Sequence, residues 1–188
     1  MTILIGVCAM LNMLNKGTIN DCVRYVIQNE GGYSNHRSDY GGETYWGITK
    51  AFAQENGVPW PPSRRDAEQA YEAIGKKFGV FYLDGPTAKF LLDGCVLFGF
   101  RRFIGWFQGA INACCGSSLV VDGVIGPKTV AAYSACNKRV VIRRLHEHVR
   151  SYHIAVVSRD RSQLAFLRGW LVRAESRYNE FLKGLENG

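Results

Sequence analysis

Three features of this sequence predict a mainly α fold with one small β or irregular loop. Apolar residues recur at helical spacing along most of the chain, as in Ile19, Cys22, Val23, Val26 and Ile27. Helix starts and stops are punctuated by capping residues and glycines. One stretch, from Gly31 to Gly47, has too much turn chemistry to be helical.

In chain order, Thr2 to Leu14 is apolar apart from Asn12, is too short to span a bilayer and has no Lys or Arg before it. It reads as an extra N-terminal helix packed on the core rather than as a signal peptide. Thr18 and Asp21 have the spacing of a capping box, so the next helix is expected to start at Thr18 and to end at Gly31, as a left-handed cap. Glu30 then ends the helix, on the same stripe as the apolar residues. The negative end of the helix dipole and an apolar neighbourhood both disfavour its ionised form, so a raised pKa and a proton available near neutral pH are expected. A general acid has those properties.

The stretch after Glu30 holds Gly31-Gly32, Gly41-Gly42, Tyr33, Tyr40, Tyr45, Trp46 and a second acid, Asp39. It reads as a loop or a small β-hairpin. Backbone N–H groups of Tyr40-Gly41-Gly42 are placed to keep the Asp39 carboxylate ionised, although Asp39 reads equally well as a turn former. Two carboxyls pushed apart in pKa make the arrangement of a glycosidase. Tyr33, Tyr45 and Trp46 offer flat faces on which sugar rings can stack, and aromatics beside a loop also serve as local core.

Thr49 is expected to cap a short helix through Asn56 that Gly57 stops, and Pro59-Trp60-Pro61-Pro62 to form an extended connector. Ser63 and Asp66 repeat the capping-box spacing before a helix running to Lys77, with Ala67, Ala70, Tyr71, Ile74 and Phe78 as its core face. The chain turns at Asp84-Gly85-Pro86 into one amphipathic array: Ala88, Leu91, Leu92, Cys95, Val96, Phe103, Phe107 and Ile111. Asp122-Gly123 predicts a turn, and Pro127 suits the first position of a helix that Gly126 introduces. Two helices follow, around Val141 to Val157 and Gln163 to Leu185. Their many Arg residues, Arg173 and Arg177 among them, read as a solvated face or a polyanion site.

A net charge of +7 and an isoelectric point near 9.2 favour an acidic partner: nucleic acid, an anionic membrane or the carboxylate-rich bacterial wall. His146-Glu147-His148 misses the zinc-protease motif because Arg150, not His, stands four after His146. Cysteines at positions 8, 22, 95, 114, 115 and 136 have no metal spacing and are expected as reduced, buried thiols. No Gly-x-Ser-x-Gly elbow, phosphate-cradling loop or nucleic-acid motif occurs.

The series Glu30-Gly31-Gly32-Tyr33, then Asp39, Gly41-Gly42, Thr44 and Gly47-Ile48-Thr49, resembles the signature of glycoside hydrolase family 108. These are N-acetylmuramidases found as phage endolysins and as muramidases that assist protein secretion, the typhoid-toxin secretion type among them. The chain departs from the family's pattern at Arg37 and Tyr40, where Pro is common. Residues 93 to 99, 108 to 111 and Val121 to Thr129 resemble the peptidoglycan-binding domain that follows this module.

The resemblance implies a lysozyme-like helical catalytic unit over residues 1–92 and a helical peptidoglycan-binding unit over residues 93–188 packed on it. It implies a muramidase cleaving the β-1,4 bond between N-acetylmuramic acid and N-acetylglucosamine. Glu30 is then the acid, with Asp39 handling water, and Tyr33, Thr44, Tyr45 and Trp46 lining the substrate. A lytic transglycosylase and a non-catalytic wall-binding protein are the alternatives. Neither cofactor nor metal is expected. The partner is peptidoglycan, with no nucleic acid and no membrane span, for a monomer made without an evident signal peptide and acting on the periplasmic wall.

Overall fold

The structure, a computed structural model, describes residues 12–35 and 42–187. Asp39, Cys8 and most of the expected N-terminal helix lie outside the described residues, and residues 12–14 are not helical.

The first helix, α1 (Lys16–Glu30), begins two residues earlier than expected, because Asn15 rather than Thr18 caps it. The Asn15 side-chain oxygen accepts the Thr18 backbone N–H at 2.9 Å and the Thr18 hydroxyl at 3.2 Å, which leaves Thr18 inside the first turn. Asp21 faces Arg24 at the surface instead of closing a capping box. Ile19, Cys22, Val23, Val26 and Ile27 are all buried, as the stripe requires. The helix ends at Glu30 as expected. Gly31, however, sits at φ 69° and ψ −147°, outside the left-handed helical well and in a region that glycine alone occupies freely.

The glycine-rich stretch forms a three-stranded antiparallel sheet of β1 (Tyr33–Ser34), β2 (Thr44–Tyr45) and β3 (Ile48–Thr49), in that order. Tyr33 pairs with Tyr45, and Tyr45 with Ile48. Two helices follow as predicted. In α2 (Lys50–Asn56) the Thr49 hydroxyl accepts the Phe52 N–H, and Gly57 ends the helix in the left-handed conformation. In α3 (Arg64–Lys77) Ser63 and Asp66 close a full capping box.

Beyond a 3-10 turn at Val80–Tyr82, Asp84 caps α4 (Gly85–Phe98) through Thr87. The array expected as one unit divides at Gly99, whose φ of 85° breaks the helical path, and resumes as α5 (Phe100–Cys115). Then come α6 (Pro127–Ser134), α7 (Lys138–Arg159), a second 3-10 turn (Arg161–Gln163) and α8 (Leu164–Glu186).

The centre of the molecule is α4, which packs against α1, α5 and α8 and buries residues on every side, from Thr87 to Cys95. Gly94 allows α5 to come close, since a Cβ there would lie 2.1 Å from the Phe103 ring. One continuous core runs from Ile19 to Phe181, so the C-terminal helices pack on the first half, as expected. Position 92–93 falls inside α4, and polar contacts also cross between the halves. The Ile125 N–H donates to the Phe78 carbonyl at 3.0 Å, the Thr87 and Tyr133 hydroxyls meet at 2.8 Å, and Lys138 pairs with Asp84 at 3.0 Å.

Two of the cysteines differ from the expected thiols. Cys115, at the end of α5, and Cys136, between α6 and α7, have Cα atoms 6.0 Å apart and form a disulfide. Cys22 and Cys95 are free and buried, and Cys114 is free and half-buried. His146 is buried, stacked on Tyr178 at 4.6 Å and set 3.2 Å from Glu175, a packing role. Among the described residues no cluster of His, Cys, Asp or Glu could hold a metal, and no helix is long and apolar enough to cross a membrane.

Candidate active site

Glu30 stands where α1 runs out beneath the β2–β3 turn, and its side chain is only 11% exposed. Its two oxygens have different neighbours. Oε1 accepts a hydrogen bond from Arg173 Nη2 of α8. Oε2 faces Gly47, and a Cβ on that residue would come within 2.5 Å of it and within 2.8 Å of Cγ and Cδ. A side chain at position 47 would therefore displace the Glu30 carboxyl.

The turn above the carboxyl is held in place. Trp46 and Gly47 form its two central positions at φ 55° and φ 76°, the doubly positive pattern that suits a two-residue hairpin. Trp46 is the one non-glycine at positive φ among the described residues, a conformation that persists only where its surroundings enforce it. Its N–H donates to the Gly32 carbonyl at 2.9 Å, and its carbonyl accepts the Tyr71 hydroxyl of α3 at 2.7 Å.

Below the carboxyl lies a buried charge cluster. Arg173 Nη2 also donates to Asp93 Oδ1 at 2.9 Å. Asp93, wholly buried on α4, further accepts Asn29 Nδ2 at 3.1 Å and Arg177 Nη1 at 3.2 Å. Arg177 is 1% exposed and lies over the rings of Phe90 and Phe103, 4.9 and 5.3 Å from their centroids. Two carboxyl groups thus face two guanidiniums, a cluster whose charges balance while both acids are ionised.

Burial pushes the Glu30 pKa up; the Arg173 charge and hydrogen bond pull it back, and Asp93 adds to the rise. The upward direction is the one expected from the apolar stripe. Burial also works against the charge of Arg173, but Asp93 and Glu30 outweigh it and hold its pKa above the ordinary value. At Arg177 burial prevails over Asp93 and the pKa falls. Burial, with the nearby Glu30 charge, keeps the Tyr71 phenol protonated.

A cavity of about 510 Å³ adjoins this site, lined by Gly47, Tyr71, Phe52, Phe78, Phe98 and Phe100 together with Lys77, Arg101 and Arg102. Gly47 is common to the cavity wall and to the contact with Glu30. The lining also holds Glu55 and does not include Glu30, whose carboxyl adjoins the cavity through Gly47.

Of the other expected site residues, Asp39 lies outside the described residues, Tyr33, Thr44 and Tyr45 lie on the sheet, and Trp46 lies in its turn. Tyr33 is exposed on β1, with its ring 4.9 Å from its cross-strand partner Tyr45. Tyr45 meets Trp60 edge-on at 5.3 Å. Thr44 is half-buried between Ser34 and Thr49, and the Trp46 ring packs against the core. Asp93, Arg173, Arg177 and Tyr71 escaped the sequence reading as site residues. A signal existed for Arg177, which shares a helical stripe with Ala174 and Phe181, and for Asp93, the lone acid in the apolar run of α4.

Residues 23–96 match the family model of glycosyl hydrolase 108, and residues 102–175 match a predicted peptidoglycan domain. No curated protein matches the chain. Among solved structures, SagA of Brucella abortus is similar at 25% identity and a TM-score of 0.74, over 90% of this chain and 96% of that one. The fold is lysozyme-like, with a small three-stranded sheet and a helical peptidoglycan-binding unit. The two matches, one to glycosyl hydrolase 108 in the first half and one to a peptidoglycan domain in the second, support a glycoside hydrolase directed at peptidoglycan.

Proposed function

We propose that the protein is an N-acetylmuramidase that cleaves the β-1,4 bond between N-acetylmuramic acid and N-acetylglucosamine, with Glu30 as its general acid. The supporting observation is the Glu30 carboxyl, buried and raised in pKa, with Oε2 set against Gly47 of the groove wall. In this reading Oε2 carries the proton and gives it to the departing glycosidic oxygen as an oxocarbenium-like sugar develops. The carboxylate left behind is paired at once with Arg173. Asp39, which lies in the sequence between β1 and β2, is the proposed residue for activating water. Such a role would invert the sugar if the two carboxyls stand roughly 6.5–9.5 Å apart.

Residues 1–92 supply the reacting carboxyls in this proposal, with Tyr33, Thr44, Tyr45 and Trp46 along the glycan. Residues 93–188 supply affinity for the wall, while Asp93 and Arg173 reach back into the site. The enzyme would act on the periplasmic wall, in endolysin-like lysis or in the passage of secreted proteins. The test is Glu30→Gln, which keeps shape and removes the transferable proton. It is expected to lower lysis of purified sacculi by about 10²–10⁴-fold while fold and wall binding persist. Lysis near the wild-type rate would remove Glu30 from the mechanism.

A further inference from the structure

The two arginines of the site do not come from the segment that matches the hydrolase family. Glu30 and Asp93 lie within residues 23–96, whereas Arg173 lies within the peptidoglycan-domain match at 102–175 and Arg177 just beyond it. Asp93 is fixed from two sides besides Arg173, by Asn29 of α1 at 3.1 Å and Arg177 of α8 at 3.2 Å. It is therefore a stationary acceptor, and Arg173 Nη2, 2.9 Å from it, is held in one place. From there Nη2 donates to Glu30 Oε1. An oxygen already accepting from a guanidinium is a poor seat for a second hydrogen, so the proton of a neutral Glu30 sits on Oε2, toward Gly47.

The geometry points to Arg173 as a positioning residue for the reaction: anchored on Asp93, it reaches from α8 to dictate which oxygen of Glu30 carries the transferable proton and how readily that proton leaves. This role rests on Glu30 being the acid. Among the described residues, the titratable groups facing Glu30 are Arg173 from α8, Asp93 from α4 with Arg177 behind it, and Tyr71 from α3. The β2–β3 turn brings only Trp46 and Gly47, and α1 brings neutral Asn29. Arg173 is the cation in direct contact, so it opposes burial and Asp93 and keeps Glu30 from holding its proton too tightly. It also makes the wall-domain helix part of the catalytic unit: α8 must be docked for Glu30 to be set.

The sign of the effect is fixed. A general acid works while protonated, so activity falls as pH rises through its pKa. Loss of the Arg173 charge lets Glu30 keep its proton to higher pH, and the falling limb moves up. The experiment measures initial rates of sacculus lysis against pH for the full chain, for Arg173→Gln and for Arg173→Lys, with melting temperatures alongside and Glu30→Gln as baseline.

Arg173→Gln is expected to move the limb upward by about one pH unit and to lower kcat about tenfold, with KM little changed. Arg173→Lys retains the charge but not the planar donor, so its limb stays near the wild-type position while kcat falls about threefold. Wild-type limb and kcat in a folded Arg173→Gln protein would overturn the role. Should that variant fail to fold, Arg173→Lys decides alone: a limb in place with lowered kcat supports the role, and wild-type kcat overturns it. Lysis retained by Glu30→Gln would instead defeat the assignment of Glu30, whatever the Arg173 variants do.

Discussion

At the scale of single residues, the site is as much the absence of a side chain at position 47 as the presence of one at position 30. Gly47 and Gly57 have similar positive φ, 76° and 66°, so alanine strains the backbone alike at either, by about 1–2 kcal/mol. Only at Gly47 does the added Cβ meet Glu30; at Gly57 it meets nothing within 4 Å. Gly47→Ala is therefore expected to abolish lysis and Gly57→Ala to lower only the melting temperature. Equal lysis by the two variants would show that the Gly47 contact has no part in the chemistry. The sequence made Glu30 legible because its helix ends on an apolar stripe, and its upward pKa follows from the same stripe. It hid Arg173, whose partners Glu30 and Asp93 are far away in the chain, and gave Arg177 only its stripe, because an arginine whose guanidinium lies among Phe90, Phe98 and Phe103 looks, in one dimension, much like any other in a basic tail.

At the scale of elements, boundaries were readable wherever a side chain both starts a helix and is alone in its class nearby. Thr49 and Ser63 are such cases, and α2 and α3 begin where they predict. At α1 two good caps compete within four residues, and Asn15 prevails because its oxygen reaches the Thr18 N–H, an outcome that spacing alone does not decide. The α4–α5 division was hidden for another reason: apolar spacing continues through Gly99, and only its φ interrupts the helix. Ser63→Ala should cost about 1 kcal/mol, lowering the melting temperature by roughly 2–4 °C without changing activity at 25 °C; no change would remove the capping box as a determinant. Between α7 and α8, His153 stacks on Trp170 at 5.0 Å, and burial, helped by the Arg177 charge, pushes its pKa down to about 4. The unfolded chain takes up that proton near pH 6.5 and the native one only near 4, so stability is lost as pH falls across this interval. His153→Phe keeps an aromatic stack and is expected to lose less melting temperature than wild type between pH 7 and 5. A loss equal to the wild type's would exclude His153 as a source of the acid sensitivity.

At the scale of the whole molecule, one core and one charge cluster join the hydrolase segment to the peptidoglycan segment, so the two cannot be pictured as a cutter and a separate anchor. The excess of Lys and Arg, 23 against 16 acids, suits an anionic polymer, and salt should screen that part of the affinity while groove contacts persist. Sedimentation of the Glu30→Gln chain with sacculi is thus expected to weaken, without vanishing, as salt rises; binding indifferent to salt would remove charge from the account. The muramyl bond is proposed to be hydrolysed with Glu30 as acid. Mass analysis of fragments released from defined peptidoglycan in isotopically heavy water tests this most directly. Fragments ending in a reducing muramic acid that carries one solvent oxygen are expected, and none from Glu30→Gln. Anhydro-muramic ends without solvent oxygen, or the same fragments from Glu30→Gln, would contradict this proposal.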